Sequence, residues 1–599
     1  MKRVRFAYPV GACLVLVYTV FLALFSHAGF PQTMFANTHM PFLSDRPVGE
    51  DGYYMLEVAW NLAAGKGVVG SDGQAVTGIQ PLSTLLFAVI AKVVQICGGG
   101  KWAFVRAIIV FGGLNLIIFA LLIGKIARVI SKEWEDHGLV FALGSSLALF
   151  NFWLFSVFTY GLETGVYVTL LAALLLFTLT RLPSAKTADI IAIGVLAGLC
   201  GWARIDFGLV FFVFLVMALS WRLMSLKQVL LSGLVALALI SPWFIWVYAE
   251  SGTMMPSSGP AESELINVAS VRSRLEIMAN VLVEHLTPWS YSASATPGLN
   301  GRTGIDVGMV FSIFLLVVLL GRLKSLKHVL LFGLLALALI SPWFFWVYAK
   351  TVRTVTPGSG PIQSPLTFSD LMRPVKWLEL ASLAILAVLA RYKRINVITN
   401  IGPSLVYVAW CLAVVPLVPV YVVFFGAAHF YGRYTAPLHC VVLPFLAVVL
   451  SALLAKMKGG GIMAQAFLLA LIVSFALFAG GLLHMGLIGR NAHSISAGFI
   501  QRYFDQSAHI GAFQSGVIGY FNDNVINLDG KVNSQALNAL KTNTLEQYID
   551  TTHIDVLIDW PDEYIHRYLP EQWLSGWRFC ARQPANASVC LARSGADKR

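Results

Sequence analysis

The chain has 599 residues, of which 57% are hydrophobic and only 12% are charged. Soluble domains carry about 25% charged residues. This composition, with repeated apolar runs of about 20 residues, excludes a soluble globular protein and predicts a polytopic α-helical membrane protein. The net charge is +12, and the Lys and Arg residues cluster at the ends of apolar runs. Such clusters set membrane topology, so the charge does not indicate nucleic-acid binding.

The first apolar stretch, 7–28, follows a basic N-terminus and is not closed by a convincing small-x-small cleavage site. It is therefore predicted to be an uncleaved span with its N-terminus in the cytoplasm. Further strong runs bring the expected total to about 13 transmembrane helices. These runs are 103–128, 138–160, 164–181, 188–204, 207–221, 228–249, 305–321, 328–349, 374–391, 400–426, 435–455 and 462–487.

The run 81–97 is apolar enough to be a short span, and its assignment decides the orientation of every later loop. Counting it as a span would place the basic loops outside, against the positive-inside bias, whereas leaving it out places them inside. Those loops are Lys125–Lys132, Arg222–Lys227, Arg322–Lys327, Arg391–Arg394 and Lys456–Lys458. The run is therefore predicted to lie in or dip into the outer interface, which makes 29–102 one external loop.

A helix pair is duplicated in tandem, within 201–250 and 301–350. Residues 225–250 and 325–350 match at 21 of 26 positions with an offset of 100. Solenoid folds need at least three repeats, so two copies indicate an inserted extra helix pair. The last apolar run ends at 487, so the membrane part is predicted to cover 1–487.

The tail, 488–599, differs in character, because charges, Asn and Gln return and short β-like runs alternate with helical patterns. This pattern predicts a small α/β domain, which the span count places outside. Cys580 and Cys590 flank a stretch with hairpin-like turn residues. A disulfide is expected between them in an oxidising compartment, and two free thiols are the alternative.

The external loop carries two adjacent acids, Glu50 and Asp51, directly before an amphipathic helix. Apolar positions recur from Tyr53 to Ala63 at helical spacing. Acids at a helix N-terminus are favoured by the helix dipole. The spacing alone therefore fits a capped interfacial helix as well as a functional site.

A series of motifs across the chain resembles the GT-C superfamily of membrane glycosyltransferases, and in particular its arabinofuranosyltransferase-like branch. The motifs are Glu50-Asp51-Gly52-Tyr53-Tyr54, the run Ala59–Gly67, Thr77-Gly78 with Pro81-Leu82, Gly161-Leu162-Glu163-Thr164, Ala203-Arg204-Ile205-Asp206, His429–Tyr434 with Pro437, and Val525–Asn533. The chain departs from the pattern at Glu50, where Asp is common, and in lacking an Asn between Thr77 and Gly78. The resemblance implies a GT-C-like membrane domain with an external C-terminal domain.

Such enzymes move a sugar from a polyprenyl-phosphate carrier to an acceptor hydroxyl outside the membrane. The resemblance implies Asp51 as the general base. Glu50 is then a flanking acid that orients Asp51, raises its pKa or helps to hold a metal. Glu163 is expected to be a second acid facing the same cavity; a side chain that snorkels from a helix end is its alternative.

The carrier phosphate leaves as an anion and requires cationic neighbours. Arg433 is the expected phosphate-binding residue because an Arg binds phosphate through two parallel hydrogen bonds. His429 and Tyr431 are expected helpers, and Arg204 is the next candidate. An Arg that anchors a helix to lipid headgroups is the alternative for Arg433. Asp529 and Asn533 are expected to be structural turn residues, with acceptor recognition as their alternative role.

The expected partners are an undecaprenyl-phosphate-type or decaprenyl-phosphate-type sugar donor, an acceptor glycan, lipid or protein outside the membrane, and membrane lipids. A pentose such as arabinofuranose is the expected sugar. No cofactor is certain, and a divalent metal stays open. The expected location is the bacterial inner membrane with a periplasmic tail. The rival functions are a transporter or flippase of lipid-linked sugars and a non-catalytic glycan assembly factor.

Overall fold

The computed structural model comprises a helical membrane part and the C-terminal tail. The residues that it describes are 7–24, 47–131, 137–263, 271–286, 403–427, 430–455, 462, 464–473, 475–476, 479, 492–505, 507–559, 562–581, 583–584 and 589–593. The predicted spans 305–321, 328–349 and 374–391, the second repeat copy within 301–350, and His429 lie outside the described residues.

The helices of the membrane part share one continuous apolar core. In chain order they are α1 (Ala7–Leu24), α2 (Glu50–Ala63), α3 (Pro81–Ile96), α4 (Lys101–Ile130), α5 (His137–Leu149), α6 (Phe152–Thr159), α7 (Thr164–Arg181), α8 (Thr187–Ala203), α9 (Phe207–Ser220), α10 (Leu226–Ser251), α11 (Ser258–Ser263), α12 (Val271–Leu286), α13 (Pro403–Val414), α14 (Leu417–Phe424), α15 (Tyr431–Tyr434), α16 (His439–Ala455) and α17 (Ala464–Val473). The first copy of the repeat forms α9 and α10.

Within the described residues, five helices are long and apolar enough to cross a membrane, or six if one bent pair counts as a span. The five are α1, α4, α7 with the turn that follows it, α10, and α13 continued by α14. Shorter apolar helices include α3, α8 and α9. The chain is thus a multi-pass helical membrane protein, and the total of 13 spans stays a prediction.

The predicted span 138–160 is broken into α5 and α6, which meet at an angle of 57°. The break lies at Asn151, whose side-chain oxygen accepts a hydrogen bond from the amide of Leu154 at 3.0 Å. Because an N-cap residue satisfies an amide at a helix start, Asn151 stabilises a second start inside an apolar run. α6 then ends at the turn that carries Glu163.

The tail is an α/β unit built on a five-stranded sheet of order β2-β1-β3-β5-β4. Its elements are α18 (Ala492–Tyr503), β1 (Ile510–Ala512), α19 (Gly516–Phe521), β2 (Val525–Asn527), α20 (Ser534–Lys541), α21 (Leu545–Thr551), β3 (Val556–Asp559), α22 (Asp562–Tyr568), α23 (Glu571–Leu574), β4 (Trp577–Phe579) and β5 (Val589–Arg593). β1 runs parallel to β2 and β3, whereas β5 runs antiparallel to β3 and β4. A disulfide joins Cys580, directly after β4, to Cys590 in β5.

The tail docks on the segment 47–102 mainly through α19. The hydroxyl of Tyr520 donates to the carbonyl oxygen of Lys101 at 2.8 Å, and the Lys101 ammonium lies 2.9 Å from a carboxylate oxygen of Asp523. The rings of Trp102 and Phe521 stack at 4.6 Å. Tyr520 is fully buried in the same apolar core as the membrane helices, so the tail and the loop form one packed unit.

Both ends of α3 lie next to the tail. Gly78, just before α3, is so close that a Cβ there would lie 1.9 Å from the carbonyl oxygen of Lys531. Lys101, just after α3, pairs with Asp523. A span would separate its two ends by about 30 Å of hydrocarbon, so this geometry favours an interfacial α3. Its outward face is apolar, with Leu85, Leu86, Val89, Val93 and Ile96 exposed.

Single cysteines introduced by Gln74→Cys and Gly100→Cys, in a chain carrying Cys97→Ser, should test this position of α3. We expect an impermeant thiol reagent to reach both from the same side of the membrane, because an interfacial helix leaves both ends on one side. Lys227→Cys is the control and should react only from the opposite side. Labelling of position 74 without position 100 would show that α3 crosses.

Candidate active site

Asp51 lies in the first turn of α2, a helix in which 10 of 14 residues are buried. The amide of Gly49 donates to the carbonyl oxygen of Tyr160 at 3.1 Å. A Cβ at Gly52 would lie 2.2 Å from that same oxygen. The glycine therefore allows the start of α2 to sit directly on the turn after α6, next to the segment that carries Glu163.

Arg204 is fully engaged in a buried cluster. It ends α8 in an extended conformation, and its Nη1 lies 2.8 Å from Oε1 of Glu163. Its Nε lies 3.0 Å from Oδ1 of Asp206, and its Nη2 donates to the hydroxyl of Tyr421 at 3.1 Å. Each guanidinium nitrogen thus has an acceptor. Two carboxylates around one guanidinium leave this cluster with excess negative charge.

Arg433 is much less engaged. It lies on the short helix α15 between two membrane helices, and its Nη1 is 3.5 Å from Oδ2 of Asp51. Its guanidinium carbon lies 4.3 Å from the centre of the Phe430 ring and 5.2 Å from that of Tyr434. Its Nε is buried and has no hydrogen-bond partner within the described part of the chain. Arg433 therefore retains donor capacity for an anion.

Lys531 reaches the same carboxylate from the tail. Its ammonium lies 3.4 Å from Oδ1 of Asp51 and 3.8 Å from Oδ2 of Asp529. The turn that carries it has Gly530 at φ +78°, a conformation that favours glycine. The amide of Gly530 donates to Asn527 at 3.0 Å. The turn thus fixes the position of the Lys531 backbone.

These groups line one cavity of about 540 Å³. Its polar lining residues are Asp51, Tyr54, Gln80, Glu163, Arg204, Asp206, Ser258, Tyr421, Arg433, Tyr434 and Lys531. Its apolar lining includes Phe244, Met254, Met255 and Phe425. The cavity thus lies where the segment 47–102, the membrane helices and the tail meet, and it combines a carboxylate with two loosely paired cations.

Glu50 does not line this cavity, unlike the expected flanking acid. Its Oε2 accepts a hydrogen bond from the amide of Val517 at 3.1 Å and lies 3.8 Å from Nδ1 of His493. Adjacent side chains on a helix do not face each other. Glu50 therefore points into the interface with α19, while Asp51 points into the cavity.

The other expected site residues have structural contacts. The Tyr431 hydroxyl donates to the carbonyl oxygen of Phe425 at 2.8 Å, outside the cavity lining. Asn533 caps α20 by accepting from the amides at 535 and 536. Asp529 accepts from the amide of Lys531 at 2.9 Å. Asp529 thus holds the turn and Asn533 the start of α20, and their expected roles stay predictions.

Sequence reasoning did not select Lys531, Tyr54 or Tyr421 as site residues, although Lys531 lies inside a motif that it quoted. In the motif Val525–Asn533, only Asp529 and Asn533 are expected site residues. Lys531 stands two residues after Asp529 in a turn, and this spacing is the sequence signal that could have identified it. Asp206, the last residue of the Ala203–Asp206 motif, pairs with Arg204.

The described residues contain no group of three or more His, Cys, Asp or Glu side chains that could hold a metal ion. The acids of the cavity are instead paired with cations. Glu163 and Asp206 contact Arg204, and Asp51 contacts Arg433 and Lys531. The chemistry of this lining suits an anionic substrate.

No family model and no curated protein matches the chain. Among solved structures, it is similar to ArnT from Cupriavidus metallidurans bound to undecaprenyl phosphate, with 14% identity, a TM-score of 0.47 and 99% of each chain covered. It is also similar to the oligosaccharyltransferase AglB from Archaeoglobus fulgidus in complex with an inhibitory peptide and a dolichol-phosphate. There the identity is 12%, the TM-score 0.47, and coverage 99% of this chain and 75% of the other.

The docking of α2 on the tail should weaken as the pH rises. Burial raises the pKa of Glu50 and of Glu57 to about 8. An acid whose folded pKa is raised stabilises the folded state below its unfolded pKa, and this contribution is lost as the pH rises through the folded pKa. We expect the opening free energy of the α19 amides, taken from exchange rates corrected for their intrinsic rise with pH, to fall between about pH 4.5, the ordinary pKa of Glu, and about pH 8. Glu50→Gln combined with Glu57→Gln should remove that dependence, because both amides stay neutral.

The control for this experiment is Glu571→Gln, which changes an exposed acid on the tail. It should keep the pH dependence of the unmodified protein. An unchanged pH dependence in the double variant would contradict the assignment to Glu50 and Glu57.

Proposed function

We propose that the chain is a GT-C-type inverting glycosyltransferase that moves a sugar from a polyprenyl-phosphate carrier to an acceptor hydroxyl. The observation that carries this proposal is the carboxylate of Asp51 within 3.5 Å of two cations, Arg433 and Lys531, in one cavity. Such a transfer needs a base that deprotonates the acceptor hydroxyl and cations that stabilise the leaving phosphate.

The reaction assigns one role to each group. The acceptor oxygen attacks the anomeric carbon of the sugar, and Asp51 takes the proton of that hydroxyl. The bond between the anomeric carbon and the phosphate oxygen breaks, and its electron pair stays on the phosphate. The carrier phosphate thereby gains one negative charge, which Arg433 and Lys531 stabilise.

The pairing of the two arginines supports Arg433 over Arg204 as the phosphate ligand. Arg204 would have to give up contacts of 2.8–3.1 Å to bind an anion. Arg433 has an ion pair at 3.5 Å with Asp51, and its buried Nε has no hydrogen-bond partner in the described structure. Arg204 instead holds Glu163 and Asp206 in place. Glu163 is thus a lining acid that Arg204 holds in an ion pair.

The finer assignments rest on the sequence. The motif resemblance supports a pentose such as arabinofuranose as the sugar, and an acceptor that is a glycan, a lipid or a protein. The positive-inside argument supports a bacterial inner-membrane protein with a cytoplasmic N-terminus and a periplasmic tail. An undecaprenyl-type carrier matches that location.

A transporter or flippase of lipid-linked sugars is the main rival. Such proteins place their charged sites near the middle of the membrane on broken helices. Here the charged groups lie at helix ends: Asp51 in the first turn of α2, Glu163 at the start of α7, and Arg204 at the end of α8. Transfer of radiolabelled sugar by the purified full chain would separate an enzyme from both rivals, because a flippase or an assembly factor leaves the acceptor unlabelled.

Asp51→Asn should reduce transfer by about 10²- to 10⁴-fold, as expected for loss of a general base. The amide keeps the size of the side chain, so insertion and folding should be unchanged. Glu50→Gln is the matched control, since its side chain lies outside the cavity, and it should reduce turnover far less. Initial rates of radiolabelled transfer measure both, and near-normal turnover of Asp51→Asn would remove it from the mechanism.

Arg433→Ala should impair use of the donor more than use of the acceptor. Loss of one hydrogen bond to a charged group costs about 1.5–3 kcal/mol, which is roughly 10- to 150-fold. Steady-state kinetics with each substrate varied in turn would show the change in donor kcat/KM. An effect limited to the acceptor KM would contradict a role at the phosphate.

A further inference from the structure

Both oxygens of the Asp51 carboxylate face a cation. Oδ2 lies 3.5 Å from Nη1 of Arg433, and Oδ1 lies 3.4 Å from Nζ of Lys531. These separations exceed those of strong charge-assisted hydrogen bonds, which are about 2.7–2.9 Å. The cations are therefore close enough to stabilise the carboxylate and loose enough to exchange to another anion.

The base and the leaving phosphate need the same two cations. A carboxylate paired with two cations is a poor proton acceptor, because each cation favours its ionised form. The phosphate of the donor is an anion that Arg and Lys bind well. The net-negative cluster around Arg204 offers it no comparable place, since the nitrogens of Arg204 already have acceptors.

We propose that the carrier phosphate displaces Asp51 from Arg433 and Lys531, so that binding of the donor releases the base. Lys531 is then a catalytic residue that the tail contributes to the phosphate site. This inference rests on the proposed function. It implies an ordered reaction, in which the donor binds first and the acceptor hydroxyl is deprotonated only afterwards. Without donor, Asp51 stays paired and water at the site is not activated.

The contacts around Lys531 hold it for this role. The hydroxyl of Ser257, in the loop after α10, donates to the carbonyl oxygen of Lys531 at 2.9 Å. Gly78 packs against that same oxygen, and a Cβ there would lie 1.9 Å from it. The backbone of Lys531 is thus clamped between the external loop and the membrane part. Its side chain, 21% exposed, lines the cavity, and its ammonium lies 3.4 Å from Asp51 and 3.8 Å from Asp529.

Competition for the cations has a consequence that a simple phosphate site would not show. Removing the negative charge of Asp51 removes the competitor, so the inactive variant Asp51→Asn should bind carrier phosphate more tightly than the unmodified protein. Lys531→Met removes a cation and should bind it more weakly. In a variant that carries both changes, Asp51→Asn should tighten binding of the phosphate relative to Lys531→Met by less than it does relative to the unmodified protein. The reason is that one of the two cations that Asp51 pairs with is absent.

The test measures binding of undecaprenyl phosphate, without sugar or acceptor, to the full chain in lipid nanodiscs. We expect Asp51→Asn to bind about 3- to 10-fold more tightly, which corresponds to a weak, partly buried ion pair. We expect Lys531→Met to bind about 10-fold more weakly or worse. Lys541→Met, an exposed lysine on the same tail, is the matched control and should bind as the unmodified protein does.

Lys531→Arg keeps the charge and should restore binding, which separates loss of a cation from a folding defect. Equal or weaker binding by Asp51→Asn would overturn the competition, and unchanged binding by Lys531→Met would remove Lys531 from the phosphate site. Either result leaves the proposed transferase intact. Failure of the unmodified protein to bind undecaprenyl phosphate would instead overturn both the inference and the proposed function.

Discussion

The burial of α2 between the membrane helices and the tail is the constraint on which the site depends. On one side, Gly52 brings its backbone against the carbonyl oxygen of Tyr160. On the other side, Tyr53 packs against Tyr520 of α19, with ring centres 5.2 Å apart. The start of α2 is thereby fixed at both faces. Asp51 can then meet cations that come from two other parts of the chain.

The charges in the cavity separate into two groups with different physical character. Glu163, Arg204 and Asp206 form contacts of 2.8–3.0 Å. A buried ionic cluster that is fully satisfied gives a rigid wall, because breaking it leaves an unpaired buried charge. Arg433 and Lys531 each lie 3.4–3.5 Å from Asp51 and can exchange partners at lower cost. The short ion pairs of Arg204 thus fix one wall of the cavity, whereas the longer pairs of Asp51 involve the groups that we assign to the reaction.

Local patterns explain which features were foreseen and which were missed. Composition and periodicity predict the α/β character of the tail and place two acids next to an amphipathic helix, although the structure has Glu50 and Asp51 inside the first turn of α2 and not before it. The break at Asn151 was missed because hydropathy continues across it, while the cap depends on one side-chain oxygen. Glu50 and Asp51 were treated as a pair because they are adjacent in sequence. On a helix they point in different directions, and only one of them reaches the cavity.

The sequence by itself determined that this is a multi-pass membrane protein with a separate polar tail, because run length, charge clusters and alternation are properties of short segments. It also identified Asp51, Glu163, Arg204 and Arg433 as candidates. The tertiary structure decided how those groups pair, which arginine retains donor capacity, and that Lys531 joins them. Those pairings depend on docking of segments hundreds of residues apart, and contacts of that kind have no local pattern for a sequence to display.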